Sequence, residues 1–341
     1  MTRTTNKEAE DMGKRSLALG ILGGLALAAV VVAGGRESAD AQARDFPTRP
    51  ITFVVGFAPG GGADVFARAL ADAAKTVLPQ PFAVENRPGA GGTAAGAHAA
   101  ARPADGHTLL FAHAGSSIIT PIITNQLQLK WDAFEPVARI HAEEEWLLVH
   151  PDAPWQSIDQ LVAHAKANPR KVRVAGSAIG GIDSFVVLSW EKAAGIDVEY
   201  IPHEGGGPAT LAFLGKNAEV LVGNVSEVVQ HIEAKKMVPV AVASDKRSPI
   251  FPEVPTLREK GSDVVMVQWR SVLAPKGTPA PRVAMLADAF QKAMATESWK
   301  TFNRNAKAVD AFLGPADFRK FLASEEERFG RIIDQLGLRK R

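Results

Sequence analysis

Residues 53–70 read FVVGFAPGGGADVFARAL, and the fold depends on the transition inside this stretch. An apolar, β-rich run at 51–57 predicts a buried strand, and three consecutive glycines at 60–62 follow it. An amphipathic pattern then predicts a helix over 64–78. Glycine lets a ligand approach the backbone closely, and the first N–H groups of a helix are unpaired and attract anions. The stretch therefore indicates either an anion-binding turn or simply a tight turn.

The same order of strand, small-residue loop and helix recurs along the chain. Further strands are predicted at 82–85, 107–113, 146–151, 172–177, 198–203, 219–224 and 238–244. Further helices are predicted at 158–167, 183–194, 281–296 and 315–336. Strands that alternate with helices favour an α/β fold with parallel, doubly wound sheets, here in two α/β units.

We predict that the two units are domains joined by a hinge, because their elements fall into two sets along the chain. The predicted boundaries are a signal peptide (1–43), the first part of domain 1 (44–145), domain 2 (146–243), a hinge crossover (244–268) and C-terminal helices that return to domain 1 (269–341).

The N-terminus has the layout of a secretory signal peptide. A basic pair at 14–15 precedes an apolar run at 17–33, and Ala-Gln-Ala at 41–43 fits a cleavage site. The alternative is an uncleaved membrane anchor, and translation could start at Met1 or at Met12. Cleavage predicts a periplasmic protein.

Composition excludes several functional classes. The net charge is +2 without a basic stripe, which argues against nucleic acid, and the chain has no cysteine for disulfides, thiolate catalysis or metal binding. We expect no metal and no cofactor, since the histidines lack metal-ligand spacing. The run at 143–145, Glu-Glu-Glu, predicts a solvated turn. Five histidines are interpreted as surface or loop residues: His98, His107, His113, His141 and His164.

Nucleotide and enzyme motifs are weak in this sequence. The loops lack the lysine of a phosphate-binding loop, and GAGGTA at 89–94 follows the second strand rather than the first. No G-x-S-x-G nucleophile elbow is present. An exported hydrolase using Ser116 or Ser177 stays as an alternative, but no base is placed beside either serine. We therefore predict that the protein is not an enzyme.

Several blocks in a fixed order resemble a known family. They include APGGGAD (58–64), VENRPGAGGTAAG (84–96), ADGHTLLFA (104–112), GSAIGGIDSF (176–185) and LAPKGTPAPRV (273–283). The chain from about residue 46 to residue 336 resembles the extracytoplasmic solute receptors of tripartite tricarboxylate transporters, the Bug family. The resemblance implies a two-domain, Venus-flytrap periplasmic binding protein that closes around a small carboxylate.

The resemblance also implies a binding site without an arginine, in which backbone N–H groups and hydroxyls hold the ligand carboxylate. Phe57 would form an apolar wall or pack in the core, and Asp64 would cap the following helix. The implied ligand-binding residues are Phe57, Ala58, Gly60, Gly61, Gly62, Gly115, Ser116, Ser177, Gly180, Gly181, Ser184 and Asn224.

The implied partners are membrane subunits of such a transporter or, alternatively, a sensor kinase, and the receptor is expected to be a monomer. Three positions depart from the family pattern. Many relatives have proline in place of Gly56, threonine or serine in place of Ala63, and tyrosine in place of His203. Whether Ala63 and His203 change ligand preference is left open.

Overall fold

The quoted stretch forms strand β1 (Ile51–Val55), a glycine loop and helix α1 (Gly62–Ala74) in the computed structural model, which describes residues 46–339. Phe53, Val54 and Val55 are fully buried. A continuous apolar run of this kind is typical of a strand covered on both faces, because helices pack on each side of it. The predicted strand and helix are therefore confirmed, with shorter bounds.

Ten strands and ten α-helices make up the described part of the chain. After β1, the strands are β2 (Phe82–Asn86), β3 (Thr108–His113), β4 (Phe134–Val149), β5 (Arg173–Gly176), β6 (Glu199–Pro202), β7 (Val220–Asn224), β8 (Val238–Val242), β9 (Val267–Pro275) and β10 (Val309–Leu313). After α1, the helices are α2 (Thr93–Ala100), α3 (Thr120–Ile123), α4 (Ile158–Ala167), α5 (Ile182–Ala194), α6 (Gly206–Leu214), α7 (Val225–Glu233), α8 (Ala280–Met294), α9 (Glu297–Ala306) and α10 (Pro315–Gln335).

The sheet is mixed rather than wholly parallel. Its strand order is β2-β1-β3-β9-β4-β7-β5-β6, with β8 and β10 also paired to β4. The groups β2-β1-β3 and β7-β5-β6 are parallel, as predicted, whereas β9 and β4 run antiparallel to their neighbours. The difference arises because these two strands carry the chain between the two parallel groups.

Strand β4 takes part in both groups. Its residues up to Glu144 pair with β9, and those from Glu145 onward pair with β7 and β8. The strand predicted at 146–151 is therefore only its last part, and the predicted solvated turn at 143–145 is wrong. The pairing changes at the predicted domain boundary, but the division into domains stays a prediction.

Helix termini follow local sequence signals. Ser157 precedes α4, and its Oγ accepts a hydrogen bond of 3.3 Å from the Gln160 N–H, which is the cap that serine supplies most readily. The predicted helices at 183–194, 281–296 and 315–336 are confirmed to within one or two residues as α5, α8 and α10.

The signal peptide predicted at 1–43 lies outside the described residues. Within residues 46–339, no helix has the length and apolar character needed to cross a membrane.

Candidate functional site

The predicted loops come together in two contacts between the N-terminal and central parts of the chain. A Cβ atom built on Gly207 would lie 3.1 Å from the Gly60 carbonyl oxygen, so the loop after β1 contacts the start of α6. A Cβ atom built on Gly115 would lie 3.1 Å from the Gly180 carbonyl oxygen, so the turn after β3 contacts the loop after β5. The absence of side chains permits both close approaches.

A small pocket adjoins these loops. We call it the inner pocket, and its volume is about 30 Å³, which is enough to hold a water molecule. It is lined by Phe57, Gly61, Gly62, Ala63, His113, Ser177, Asp183, Gly205, Gly206, Asn224, Glu227, Gln268 and Arg270.

The predicted site residues fall into two sets around the inner pocket. Phe57, Gly61, Gly62, Ser177 and Asn224 line it. The other predicted residues lie in the surrounding loops, outside its lining: Ala58, Gly60, Gly115, Ser116, Gly180, Gly181 and Ser184. The roles of both sets in ligand binding stay predictions.

Most N–H groups of the predicted loops already have acceptors close by in sequence. Gly60 donates to the Asp64 carboxylate, Gly180 donates to Ser184 Oγ, and the Ser177 N–H donates to Asp183. These bonds fix the shape of the loops. They also mean that a ligand would have to replace a protein acceptor in order to use these donors.

Gly115 and Gly181 also have local acceptors, whereas the acceptor for Ala58 lies in a distant part of the chain. The Ala58 N–H donates to the carbonyl of Glu204, Gly181 donates to the carbonyl of Ala178, and Gly115 donates to His113 Nδ1. The hydroxyls are also bonded, because Ser184 Oγ donates to the Gly181 carbonyl.

Gly62 is different, because its N–H meets a carboxylate from a distant part of the chain. It donates to Glu227 Oε1 at 2.5 Å, and Glu227 lies 165 residues later, in the first turn of α7. A Cβ atom on either Gly62 or Gly206 would overlap the Glu227 carboxylate. Two glycines at helix N-termini therefore leave space for this one carboxylate.

Asp64 satisfies a loop N–H as predicted, but from inside the helix. The N-cap of α1 is Gly61, and Asp64 is the third residue of the helix. Its carboxylate accepts from Gly60, from Arg68 and from Asn86 Nδ2. Burial pushes the pKa of Asp64 upward, yet these hydrogen bonds outweigh it, so the pKa lies below its ordinary value.

Arg270 is the central charged residue of the site, and sequence reasoning missed it. Its guanidinium donates to Glu143 and, at 3.1 Å, to Asn224 Oδ1, and it lies 4.5 Å over the ring of Phe66. The Arg270 residue is 2% exposed. An ion pair at this depth must be hydrogen-bonded on both sides to offset the loss of water.

Three carboxyl groups, those of Glu143, Asp183 and Glu227, interact with this guanidinium, and Glu145 interacts with all three of them. We call Glu143, Glu145, Asp183, Glu227 and Arg270 the acidic cluster. Burial pushes the pKa of Glu143 upward, but Arg270 lowers it below its ordinary value. Burial and the neighbouring carboxylates raise the pKa of Glu145 well above its usual range, and burial raises that of Asp183. The cluster therefore holds part of its acids in the protonated form.

The pKa of Glu227 is raised to about 7. Burial is the main cause, and Asp183 and Glu143 add to it, while Arg270 and the Gly62 N–H partly offset it. Glu227 thus changes charge close to neutral pH.

The interpretation of the histidines as surface or loop residues is wrong for His113 and His141, which are buried within β3 and β4. His107 is also buried, but it lies in the loop before β3, as predicted. Burial lowers the pKa of His113 to about 3 and that of His141 to about 4. His98 and His164 are partly exposed, and residues 46–339 contain no group of three or more side chains that could hold a metal ion.

Replacing His141 by phenylalanine is expected to make the protein more resistant to acid. The His141 ring stacks on Phe66 at 4.2 Å, and neither ring nitrogen has a hydrogen-bond partner among the described residues. Below pH 6.5, His141 binds a proton in the unfolded chain but not in the folded protein. The free energy of unfolding of the wild type therefore decreases as the pH is lowered, by about 3 kcal/mol at pH 4. Urea unfolding of both proteins at pH 7 and pH 4.5 measures this. An equal difference between them at both pH values would contradict it.

Weak sequence patterns are present around the site residues that were not predicted from the sequence. Arg270 interrupts an apolar strand-like run, VQWRSVLAP, which is typical of a buried ion pair rather than of a surface position. His141, Glu143 and Glu145 alternate along β4 and are all buried, so they share one face of the strand. His203 lies outside the lining of the inner pocket, whereas Ala63 is part of it.

Known proteins are similar to this chain in sequence and in fold. A family model described as tripartite tricarboxylate transporter family receptor matches residues 66–338. The chain is 30% identical over 317 residues to protein BugT of Bordetella pertussis, covering 92% of this chain and 97% of that protein.

Two solved structures are similar over almost their full length. The periplasmic binding protein BugD has a TM-score of 0.81 at 28% identity, covering 87% of this chain and 100% of the other. MatC of Rhodopseudomonas palustris, solved with bound malate, has a TM-score of 0.79 at 28% identity, covering 84% and 100%.

Proposed function

This chain belongs to the tripartite tricarboxylate transporter receptor family, and from that premise we propose that it captures a small carboxylate at the loops around the inner pocket. The α/β periplasmic binding protein fold and the Bug-family resemblance predicted from the sequence are confirmed. The prediction that the protein is not an enzyme is also confirmed, since the family consists of receptors.

One observation carries the proposal. The Gly62 N–H, at the N-terminus of α1, binds the carboxylate of Glu227. The partial positive charge of a helix N-terminus and the missing Cβ atoms of Gly62 and Gly206 make this position suitable for any carboxylate. A ligand carboxylate in the same position would make the same bond. The malate complex of MatC supports this, because that protein is similar over most of this chain.

The experiment is a thermal-shift and calorimetric screen of the full chain without its first 43 residues. The panel contains malate, succinate, citrate, glutamate, benzoate and 4-phenylbutyrate, with the matching amides as uncharged controls. At a hundred times its Kd, a ligand is expected to raise Tm by about 4 °C, with saturation and without turnover. A folded protein that responds to no acid, or equally to the amides, would contradict the proposal.

For the partner, we propose membrane subunits of a tripartite tricarboxylate transporter, as the family description supports. Deleting the gene should abolish high-affinity uptake of the acid found in the screen. Loss of the transcriptional response to that acid with intact uptake would instead favour a sensor kinase. The monomeric state is proposed as well, and sedimentation with and without ligand tests it.

A further inference from the structure

A larger cavity adjoins the inner pocket, and we call it the outer cavity. Its volume is about 490 Å³, within the range of about 300–1,000 Å³ that is typical of small-molecule sites. Val65 and Phe66 of α1, Pro208 and Leu211 of α6, and Phe302 of α9 supply its apolar walls. Leu211 is 71% exposed at the rim.

Glu227 separates the inner pocket from the outer cavity. Glu227 and Gly62 line both spaces, so the hydrogen bond between them is part of the partition. If the Glu227 carboxylate moved off Gly62, the polar position at the start of α1 would open directly into the apolar outer cavity. The inner pocket alone, at about 30 Å³, is too small for an organic acid.

We propose that Glu227 occupies the place of a ligand carboxylate, and that the ligand which replaces it is a monocarboxylic acid whose apolar body enters the outer cavity. This inference rests on the proposed function and names the substrate class for the same site. Glu227 then acts as a specificity-determining residue, because any ligand must displace it from Gly62.

The distribution of charge favours one carboxylate rather than two. Arg270 is already bonded to Glu143 and Asn224, so it offers little to a second acid group. In the outer cavity, burial and the nearby Lys236 lower the pKa of His231, which leaves that ring neutral at pH 7. The rest of a ligand therefore meets apolar walls and neutral polar side chains instead of a second cation.

Ser226 lies beside Glu227 in the lining of the outer cavity. Its N–H donates to Glu143 Oε2 at 3.1 Å, so the residue next to Glu227 is bonded to the acidic cluster.

Binding is expected to tighten as the pH falls from 8 to 6. Glu227 changes charge near pH 7, and a protonated Glu227 competes less for the Gly62 N–H and repels the ligand less. The charged and titratable groups that face Glu227 are Asp183 from α5, Glu143 and Glu145 from β4, His113 from β3 and Arg270 from β9. A Glu227→Gln variant separates the effect of Glu227 from theirs.

The test measures Kd by calorimetry for 4-phenylbutyrate and for malate at pH 6 and pH 8. At pH 8, Glu227→Gln is expected to bind 4-phenylbutyrate at least 10-fold more tightly than the wild type and to lose most of the pH dependence. Leu211→Glu places a charge at the exposed rim and is expected to weaken the binding of 4-phenylbutyrate at least 10-fold. Malate is compact, so its Kd should be unchanged by Leu211→Glu.

The matched control is Leu127→Glu, which changes another exposed leucine, 51% exposed and outside the lining of the outer cavity, and should leave both affinities unchanged. Malate binding without 4-phenylbutyrate binding would overturn this inference and leave the proposed function standing. A Kd for 4-phenylbutyrate that is the same in both variants as in the wild type would also overturn this inference. If no acid of the wider panel binds, the proposed function itself fails.

Discussion

Replacing Arg270 by leucine is expected to lower the free energy of unfolding by about 3–5 kcal/mol, because it leaves buried carboxylates without their counter-charge. Glu143 would lose its ion-pair partner and Asn224 Oδ1 would lose a donor. The same change also removes the cation that lies over Phe66. Urea unfolding at pH 7, followed by circular dichroism, measures the difference.

Two further variants make this result interpretable. Arg247→Leu removes an exposed arginine that is paired with Glu259 at 2.8 Å. This change should lower the free energy of unfolding by less than about 1 kcal/mol. The double variant Arg270→Leu/Glu143→Leu should be more stable than Arg270→Leu alone, because no unpaired charge remains from the pair. A free energy of unfolding for Arg270→Leu that lies within 1 kcal/mol of the wild-type value would contradict the central role of this ion pair.

Replacing Gly61 by aspartate is expected to weaken carboxylate binding by about 100-fold to 1,000-fold. Gly61 lines the inner pocket, and a Cβ atom there would lie 3.6 Å from its nearest neighbours, which is an ordinary van der Waals contact. The backbone of Gly61 is extended, at φ −80° and ψ 165°, which any residue adopts. Two like charges about 4 Å apart near a protein surface repel by about 4 kcal/mol, so the new carboxylate opposes the ligand.

Gly61→Asn is the control, since it has the size of aspartate without the charge. We expect it to retain binding to within about 10-fold. Calorimetry with the acid that gives the largest Tm rise in the panel compares the two variants. Equal losses in Gly61→Asn and Gly61→Asp would mean that size, and not charge, decides the effect, and the anion site would then lie elsewhere.

Local patterns in the sequence were sufficient for much of the fold. The run before the glycines, the amphipathic pattern after them and the serine cap at Ser157 each act over a few residues, and the structure has the corresponding elements. The structure also brings the glycine loops close together, at Gly60 with Gly207 and at Gly115 with Gly180. In contrast, the antiparallel strands β4 and β9 are specified by each other, and no local pattern identifies such a pair.

The charged residues of the site were missed for the same physical reason. Glu143 and Arg270 are 127 residues apart, and Gly62 and Glu227 are 165 residues apart. Alone, an Asp or Glu is usually on the surface, which is why the run at 143–145 was interpreted as a turn. Only the folded chain shows that each charge has a partner, and that the Gly62 N–H has a carboxylate of the protein itself.

The long strand β4 also affects when the chain can fold. Its first part pairs with β9, which is synthesised more than a hundred residues later, and its last part pairs with β7 and β8. Contacts between such distant segments give a high contact order, and chains of this kind fold slowly. The centre of the sheet therefore cannot form until most of the polypeptide has been made. Late folding leaves the chain unfolded for longer during synthesis, which suits a member of a family that works on the far side of a membrane.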